Sequence, residues 1–312
     1  MNKILAIFIV CLLPACTSQY KSQLVPTSTN LTKKEKIGVV AHRGCWTHAP
    51  ENSVKSIENC SRLGVEMVEI DVQLTKDGEL VVFHDKTLDR MTGVSGTIYE
   101  KTLGELRQLY LYERDGWPNH LIRQPVKTMH RIATLEEIFT ATKGKMKINL
   151  EIKSYKYSVE ETFNAAVDMA KRMGVENDVW WKVKDGKNHS ADLLKTLDFQ
   201  NLTDVTPILR PKKYTFQEQI REFSRLDIGS LELVTSDLSY WPLDDKGKIL
   251  NSDQFIYMGI AVLPRWCGGL ADEVALSDPD ASWGKLAEMG FDLIMTDRPE
   301  QLIDYLEVSG YR

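Results

Sequence analysis

The sequence has no apolar run long enough to cross a bilayer. Its longest, Ile4 to Leu13, is ten residues where about 20 are needed. Positive charge is not in excess: 39 Lys and Arg stand against 44 Asp and Glu, a formal net charge of −5, so nothing recommends nucleic acid as a partner. A glycine-rich nucleotide fingerprint is missing, and no internal repeat is present. Cysteine is scarce, five in 312 residues. Cys45, Cys60 and Cys267, the three beyond residue 16, match no zinc spacing. They read as packing residues with room for one disulfide, whose pairing the spacing leaves open, and an odd number leaves at least one thiol free. What remains is a globular composition, 43% hydrophobic and 27% charged, in a chain long enough for two ordinary domains or one α/β barrel.

The first sixteen residues, "MNKILAIFIVCLLPAC", place one Lys before the short apolar run, as a secretory signal does. Leu13-Pro14-Ala15-Cys16 resembles a bacterial lipobox with an atypical Pro14, so Cys16 is expected to carry lipid at the mature N-terminus; the alternative is an ordinary signal peptide with a chance Cys. Residues 17–36 are polar and read as a flexible tether. The expectation is an exported lipoprotein, periplasmic or anchored to an outer membrane.

From Lys36 onward, β-rich runs alternate with amphipathic stretches such as "VEETFNAAVDMAKRMG" and "ASWGKLAEMG". The runs are "KIGVVAH", "EMVEIDVQL", "ELVVFHD", "KMKINLEIK", "DVWWKV", "VTPILR", "GSLELV", "FIYMGIAVLP" and "FDLIMTD". This alternation predicts a parallel sheet with crossover helices, and the strand number favours a (β/α)8 TIM barrel over a doubly wound sheet. The domain is expected over 37–312. Residues 86–131, with Gly93, Gly96, a short helix near Leu103 to Leu109 and a Trp117-Pro118-Asn119 turn, break the alternation and read as a small insertion after the third strand.

The run "EIDVQLTKDGELVVFHD", Glu69 to Asp85, places acids and a histidine where a buried strand should be apolar. Glu69 and Asp71, two apart, project from one face of a strand. Lys76-Asp77-Gly78 signals a turn, and a hairpin centred on Asp77 and Gly78 sets His84 opposite Asp71. Two buried carboxylates side by side are costly without a cation, and a hard divalent ion such as Mg²⁺ or Ca²⁺ suits oxygen ligands. The bland alternative is an edge strand with these residues in water. Two further strand ends bear on it: "GVVAHRG" sets His42 and Arg43 after an apolar strand, with Asn52 or Ser53 able to cap the helix that follows, and "KINLEIK" sets Glu151 and Lys153 two apart. Singly, His42 fits a satisfied core histidine and Glu151 with Lys153 a solvated pair. As a set they supply what phosphodiester cleavage needs.

"AHRG", "PENS", "EIDVQLTKDGELVVFHD", "LDRMTG", "ATLEE" and "LEIK" occur in the order and spacing of the glycerophosphodiester phosphodiesterase family. "GFDLIMTDRP" resembles that family's last strand and final helix start. The resemblance covers Ile37 to Glu151 closely and the rest loosely. It implies a TIM barrel, one divalent metal, and hydrolysis of small glycerophosphodiesters to glycerol 3-phosphate and an alcohol. By the same resemblance Glu69, Asp71 and Glu151 correspond to metal ligands, His42 and His84 to the acid–base pair, Arg43 and Lys153 to phosphate contacts, and Glu51 to a partner that holds Arg43. Where the family often has a "WTVN"-like strand, this chain has "IAVLPRWCGG", which puts the alcohol in question.

Several expected strands end in a cation: Lys182 and Lys184, Arg210 and Arg265. Facing the barrel mouth, Arg210 and Arg265 with Trp266 are expected to bind a polar or anionic leaving alcohol; surface solvation is the alternative for each. Two other functions stay open. One is a phospholipase D-like or lyase activity on intact lipids, needing an apolar groove that Trp117, Trp180, Trp181 and Trp266 could line. The other is a non-catalytic phosphodiester-binding lipoprotein, for which the loss of a ligand or histidine would be expected; none is missing.

Overall fold

The computed structural model describes residues 36–113, 126–183, 204–210, 216–223, 228–249 and 255–312. The expected signal segment, Cys16, the expected tether up to residue 35, the expected Trp117-Pro118-Asn119 turn and Lys184 lie outside them. Twelve strands run in chain order among the described residues: β1 (Gly38–Ala41), β2 (Met67–Leu74), β3 (Leu80–Val82), β4 (Tyr110–Glu113), β5 (Val126–Arg131), β6 (Ala133–Thr134), β7 (Lys147–Ile152), β8 (Val179–Val183), β9 (Asp204–Leu209), β10 (Ser230–Leu233), β11 (Ile256–Ile260) and β12 (Leu293–Thr296).

Eight of them close a parallel barrel in the order β1, β2, β7, β8, β9, β10, β11, β12 and back to β1. This is the (β/α)8 TIM barrel expected from the alternation, with helices such as Val54–Leu63, Leu135–Thr142, Val159–Met173 and Pro299–Val308 among those that follow its strands. The third of the nine expected strands, β3, is not part of it. A turn of a few residues cannot make the crossover that a parallel neighbour requires, so β3 folds back antiparallel on the end of β2 and pairs in turn with β6.

Alternation along each strand sorts the side chains into two cores. Val68, Ile70 and Val72 of β2, Ile148, Leu150 and Ile152 of β7, and Leu231 and Leu233 of β10 pack outward in the layer shared with the helices. Met67, Trp180, Ile208, Met258 and Met295 fill the barrel interior. A third cluster belongs to the insertion, where Leu88, Met91, Ile98, Leu106 and Leu111 gather around Val81 and Phe83 of the hairpin. The β4–β5 ribbon stands apart from the main sheet.

The insertion is fastened by a helix cap. "ATLEE" forms a capping box in which Thr134 Oγ1 accepts from the Glu137 backbone N–H at 3.2 Å and Glu137 accepts from the Thr134 N–H at 2.9 Å, an arrangement typically worth about 1 kcal/mol. Arg107 of the insertion donates both guanidinium arms to the same Glu137 at 2.8 Å. Both ends of the described barrel chain meet at its floor: the Ile37 N–H donates to the Tyr311 carbonyl at 2.8 Å, and Arg312 donates to the Gly64 carbonyl before β2.

Cys45 and Cys60 form a disulfide, and Cys267 is free and buried. The bridge ties the segment after β1 to the Val54–Leu63 helix. Ser53 caps that helix by accepting from the Ser56 N–H at 3.1 Å.

Candidate active site

The C-terminal ends of the barrel strands open into one cavity of about 710 Å³. His42, Arg43, Glu51, Glu69, Asp71, His84, Glu151, Lys153, Arg210, Arg265 and Trp266, the candidates from sequence, all line it.

Glu69 and Asp71 point inward from β2 because Val68, Ile70 and Val72 take the outward positions. Asp71 is the register partner of Glu151 on β7, so both belong to one layer of the interior. One oxygen each from Glu69, Asp71 and Glu151 lie within 4.8 Å of one another, all three residues buried. Burial and the neighbouring Asp71 push the Glu69 carboxyl up to about 7, the response of a site short of positive charge. Three convergent buried oxygens of this kind fit a hard divalent cation.

Two lysines share the cluster. Lys153 lies 2.9 Å from Asp71 and also pairs with Glu151. Lys182 of β8 lies 3.1 Å from both Glu151 and Glu232 and 3.7 Å from Glu69. The sequence placed Lys182 as a cation at a strand end. It is almost fully buried and paired on three sides, because Glu232 projects inward from β10 between the outward Leu231 and Leu233.

The loop after β1 carries His42 and Arg43. Arg43 has a φ of 57° and Asn52 a φ of 56°, left-handed values that non-glycine residues adopt at a cost and that gather at functional sites. The Asn52 N–H donates to the Arg43 carbonyl at 2.9 Å, and its side chain donates to Asp71 at 2.8 Å. Gly44 is needed there, since a Cβ on it would stand 2.5 Å from Ser56 Oγ. Arg43's N–H donates to Glu69 at 3.1 Å, and its guanidinium donates to Glu51 at 3.1 Å.

His42 Nδ1 donates to Asp297 at 2.8 Å, and Trp46 Nε1 donates to the same carboxylate at 3.2 Å. With Nδ1 so engaged, Nε2 is the nitrogen left to act. Burial disfavours the charged ring, but Asp297 opposite outweighs it and holds the His42 pKa above its usual value. Asp297 follows β12, and its N–H donates to Asp272 at 2.7 Å.

His84 corrects the expected register. Val72 faces Val82 and Leu74 faces Leu80, so Phe83 stands opposite Asp71, its N–H donating to the Asp71 carbonyl at 2.8 Å. The turn spans Thr75 to Glu79 instead of centring on Asp77 and Gly78, since Thr75 pairs with Glu79 at 2.9 Å. In this register a continuing strand would send His84 to the helix side with Val82. The strand ends at Val82, however, and Gln73 Nε2 donates to the Phe83 and Asp85 carbonyls at 2.7 and 2.9 Å. The bend held on either side of His84 lets its ring line the cavity.

His84 Nδ1 donates to Asp85 at 2.7 Å. Arg90 pairs with Asp85 and with both oxygens of Glu51. Burial would raise both carboxyls; the pull of Arg43 and Arg90 instead lowers Glu51 to about 2, and hydrogen bonds from His84 and Arg90 hold Asp85 well below the carboxylate range. Glu51 thereby joins the two histidine loops through Arg43 and Arg90.

The sequence reading missed Asp297, Asp85, Arg90, Gln73 and Glu232. Asp297 and Glu232 carried the signal that exposed Glu69, an acid within or just after an apolar strand. Trp180 and Trp181 line no groove; both are fully buried, one inside the barrel and one against Phe163.

Comparison with known proteins agrees with this geometry. The model of the glycerophosphoryl diester phosphodiesterase family matches residues 42–221, and a domain of unknown function matches 206–306. A glycerophosphodiester phosphodiesterase of Bacillus subtilis is 32% identical over 144 residues, 44% of this chain and 46% of that protein. One from Caldanaerobacter subterraneus is 39% identical over 117 residues, 37% of this chain and 45% of that protein. The chain thus spans about half the length of the curated relatives it matches. Among solved structures, an Oleispira antarctica phosphodiesterase in complex with the product sn-glycerol-3-phosphate superposes with a TM-score of 0.63 at 24% identity, over 87% of this chain and 97% of that one. A Thermotoga maritima glycerophosphodiester phosphodiesterase gives 0.60 at 22% identity, over 86% and 98%. At these identities the structures show the shared fold. With its family model matched over more than half of its length, the chain belongs to the glycerophosphoryl diester phosphodiesterase family.

Proposed function

We propose that this protein hydrolyses small glycerophosphodiesters to glycerol 3-phosphate and an alcohol, with His42 and His84 as the acid–base pair. The observation that carries this reading is the placement of two imidazoles, each tied through Nδ1 to a carboxylate, in one cavity with three convergent acids. The Oleispira relative bound to sn-glycerol-3-phosphate supports the product.

Glu69, Asp71 and Glu151 would hold one divalent ion, Mg²⁺ or Ca²⁺. Such an ion, when bound, supplies positive charge against the phosphoryl oxygens. Arg43 and Lys153 add to that charge from fixed positions, their side chains already held by Glu51, Asp71 and Glu151. One imidazole takes the proton of the attacking hydroxyl, from water or from the substrate's own glycerol. A new P–O bond forms, the P–O bond to the alcohol breaks, and the second imidazole protonates the departing alkoxide. Where the attacker is the glycerol hydroxyl, the cyclic phosphate so formed is then opened by water, one ring P–O bond breaking as the P–O bond to water forms, to give glycerol 3-phosphate. Asp297 and Asp85 keep the two rings oriented through this exchange, and Tyr155 donates to the His84 carbonyl at 3.0 Å. Each proton transfer typically contributes about 10²- to 10⁴-fold.

Product analysis on a panel of glycerophosphodiesters, with and without chelator, tests the reading. Glycerol 3-phosphate in equal amount to the released alcohol, abolished by chelator and restored by Mg²⁺ or Ca²⁺, is the expected result. Full turnover in excess chelator removes the metal, and binding without turnover leaves a capture protein.

The leader reading is carried into the same proposal: residues 1–16 are a signal and Cys16 is acylated, so the enzyme works outside the cytoplasm on a membrane anchor. The Cys45–Cys60 disulfide supports an oxidising compartment. Metabolic labelling with an alkyne fatty acid should mark the wild type and not Cys16→Ser.

A further inference from the structure

The far side of the cavity has a different character from the side that holds the acids. Ile208 of β9, Val234 after β10, Ile260 of β11 and Met295 of β12 form its wall, and Val262, Leu263 and Trp266 extend it along the loop after β11. At about 710 Å³ the cavity falls in the range that encloses ligands of drug size, roughly 300–1,000 Å³. Glycerol phosphate with a two-carbon alcohol leaves much of that wall uncovered.

Charge pairing separates the two sides as well. Six Lys and Arg side chains line the cavity. Four are held within it: Arg43 by Glu51, Arg90 by Glu51 and Asp85, Lys153 by Asp71 and Glu151, Lys182 by Glu151 and Glu232. Arg210, half-buried at the end of β9, and Arg265, exposed at the rim, have no carboxylate partner among the described residues. Arg265 instead lies over Trp266, 5.3 Å from the ring centre. Two guanidinium groups beside an apolar wall, neither paired with a carboxylate among the described residues, raise the local positive potential and repel a cationic head group. Guanidinium forks match phosphate and carboxylate.

Resting on the phosphodiesterase reading, we propose that the β9–β12 side is the leaving-group subsite. It takes a bulky alcohol that lays a ring or other apolar face on Ile208, Val234, Ile260 and Trp266. That alcohol carries its own phosphate or carboxylate, which Arg210 and Arg265 receive. A phosphorylated cyclic polyol has this chemistry; choline, small and cationic, has the opposite.

The test compares kcat/KM for three glycerophosphodiesters whose leaving alcohols are a phosphorylated inositol, inositol and choline, at low and moderate salt. Wild type is measured beside Arg210→Gln, Arg265→Gln, the double variant, and Arg210→Lys. Hydrogen bonds to charged groups give an expected preference for the phosphorylated inositol of about ten- to a hundredfold. That ratio should fall with salt, collapse in the double variant, and survive in part in Arg210→Lys, which keeps the charge. Equal kcat/KM for the three substrates, or a preference unchanged in the double variant, overturns the subsite. A lysophospholipid turned over better than its deacylated counterpart also overturns it, because the wall would then take an acyl chain. Hydrolysis of none of them would remove the phosphodiesterase reading itself, an outcome distinct from hydrolysis without preference.

Discussion

On one side of the mouth, around the ends of β1, β2, β7 and β8, charged groups answer one another: Lys153 between Asp71 and Glu151, Lys182 among Glu69, Glu151 and Glu232, the last reaching in from β10, and Arg43 and Arg90 around Glu51. On the other, the ends of β9 to β12 present aliphatic side chains and two arginines that have no carboxylate partner among the described residues. The first side is fixed before any substrate arrives, which is how electrostatic catalysis avoids reorganising at the moment of reaction. On the second, Arg210 and Arg265 form no ion pair among the described residues, so a substitution at either breaks none. Both sides stand on the same eight strands. The difference lies in what occupies the inward positions at their ends.

The largest effects should come from the two imidazoles. His42→Ala and His84→Ala are each expected to lower kcat by about 10²- to 10⁴-fold with the circular dichroism spectrum intact, and the double variant should be far less than multiplicatively worse. A loss of under about tenfold at His84 would place it outside the charged side's chemistry.

Next in size is a structural cost. Lys182→Met leaves Glu232 and Glu151 buried beside an absent partner, and should destabilise the protein by about 3–5 kcal/mol in urea unfolding. A cost under about 1 kcal/mol would mean that the pairing is not what fixes this side.

Glu51 carries a pH signature. Its folded pKa, about 2, lies below its ordinary 4.5 because Arg43 and Arg90 overcome burial. Its contribution to stability is therefore fully present above the ordinary value and lost as pH falls through the folded one. The stability gap between wild type and Glu51→Gln, of order 2–3 kcal/mol at pH 7, should close between about pH 5 and pH 2. A gap constant across that window would contradict the paired arrangement.

The smallest effect belongs to the other side. Arg265→Ala, at the exposed rim, should change unfolding stability by no more than about 0.5 kcal/mol. A larger change would show that the β9–β12 side is also internally braced, and the comparison would fail.

Much of the charged side was legible because it violates a pattern. An acid in an apolar strand, as at Glu69, Asp71 and Glu151, is visible without a structure, and so is a histidine at a strand end such as His42. What escaped was pairing across distance. Asp297 holds His42 from 255 positions away, and no local spacing announces that. Lys182 read only as a cation at a strand end, since its acid, Glu232, sits two strands over in the barrel. The hairpin at Asp77 and Gly78 was visible, but its register depended on Thr75 pairing with Glu79, a choice between loop lengths that turn residues alone do not make. Arg210 and Arg265 could be placed at strand ends from sequence; that they have no carboxylate partner among the described residues could not.

Ile37 and Tyr311 meet by a backbone hydrogen bond where β1 begins, and the cavity opens where β1 ends. Both ends of the described barrel chain thus lie on its blind face. A bead or a fusion partner joined directly at Ile37 or Tyr311 starts from behind the barrel, away from the opening. For the same reason, joining the two ends by a short linker and cutting the chain in an exposed loop is a rearrangement that the site would not sense.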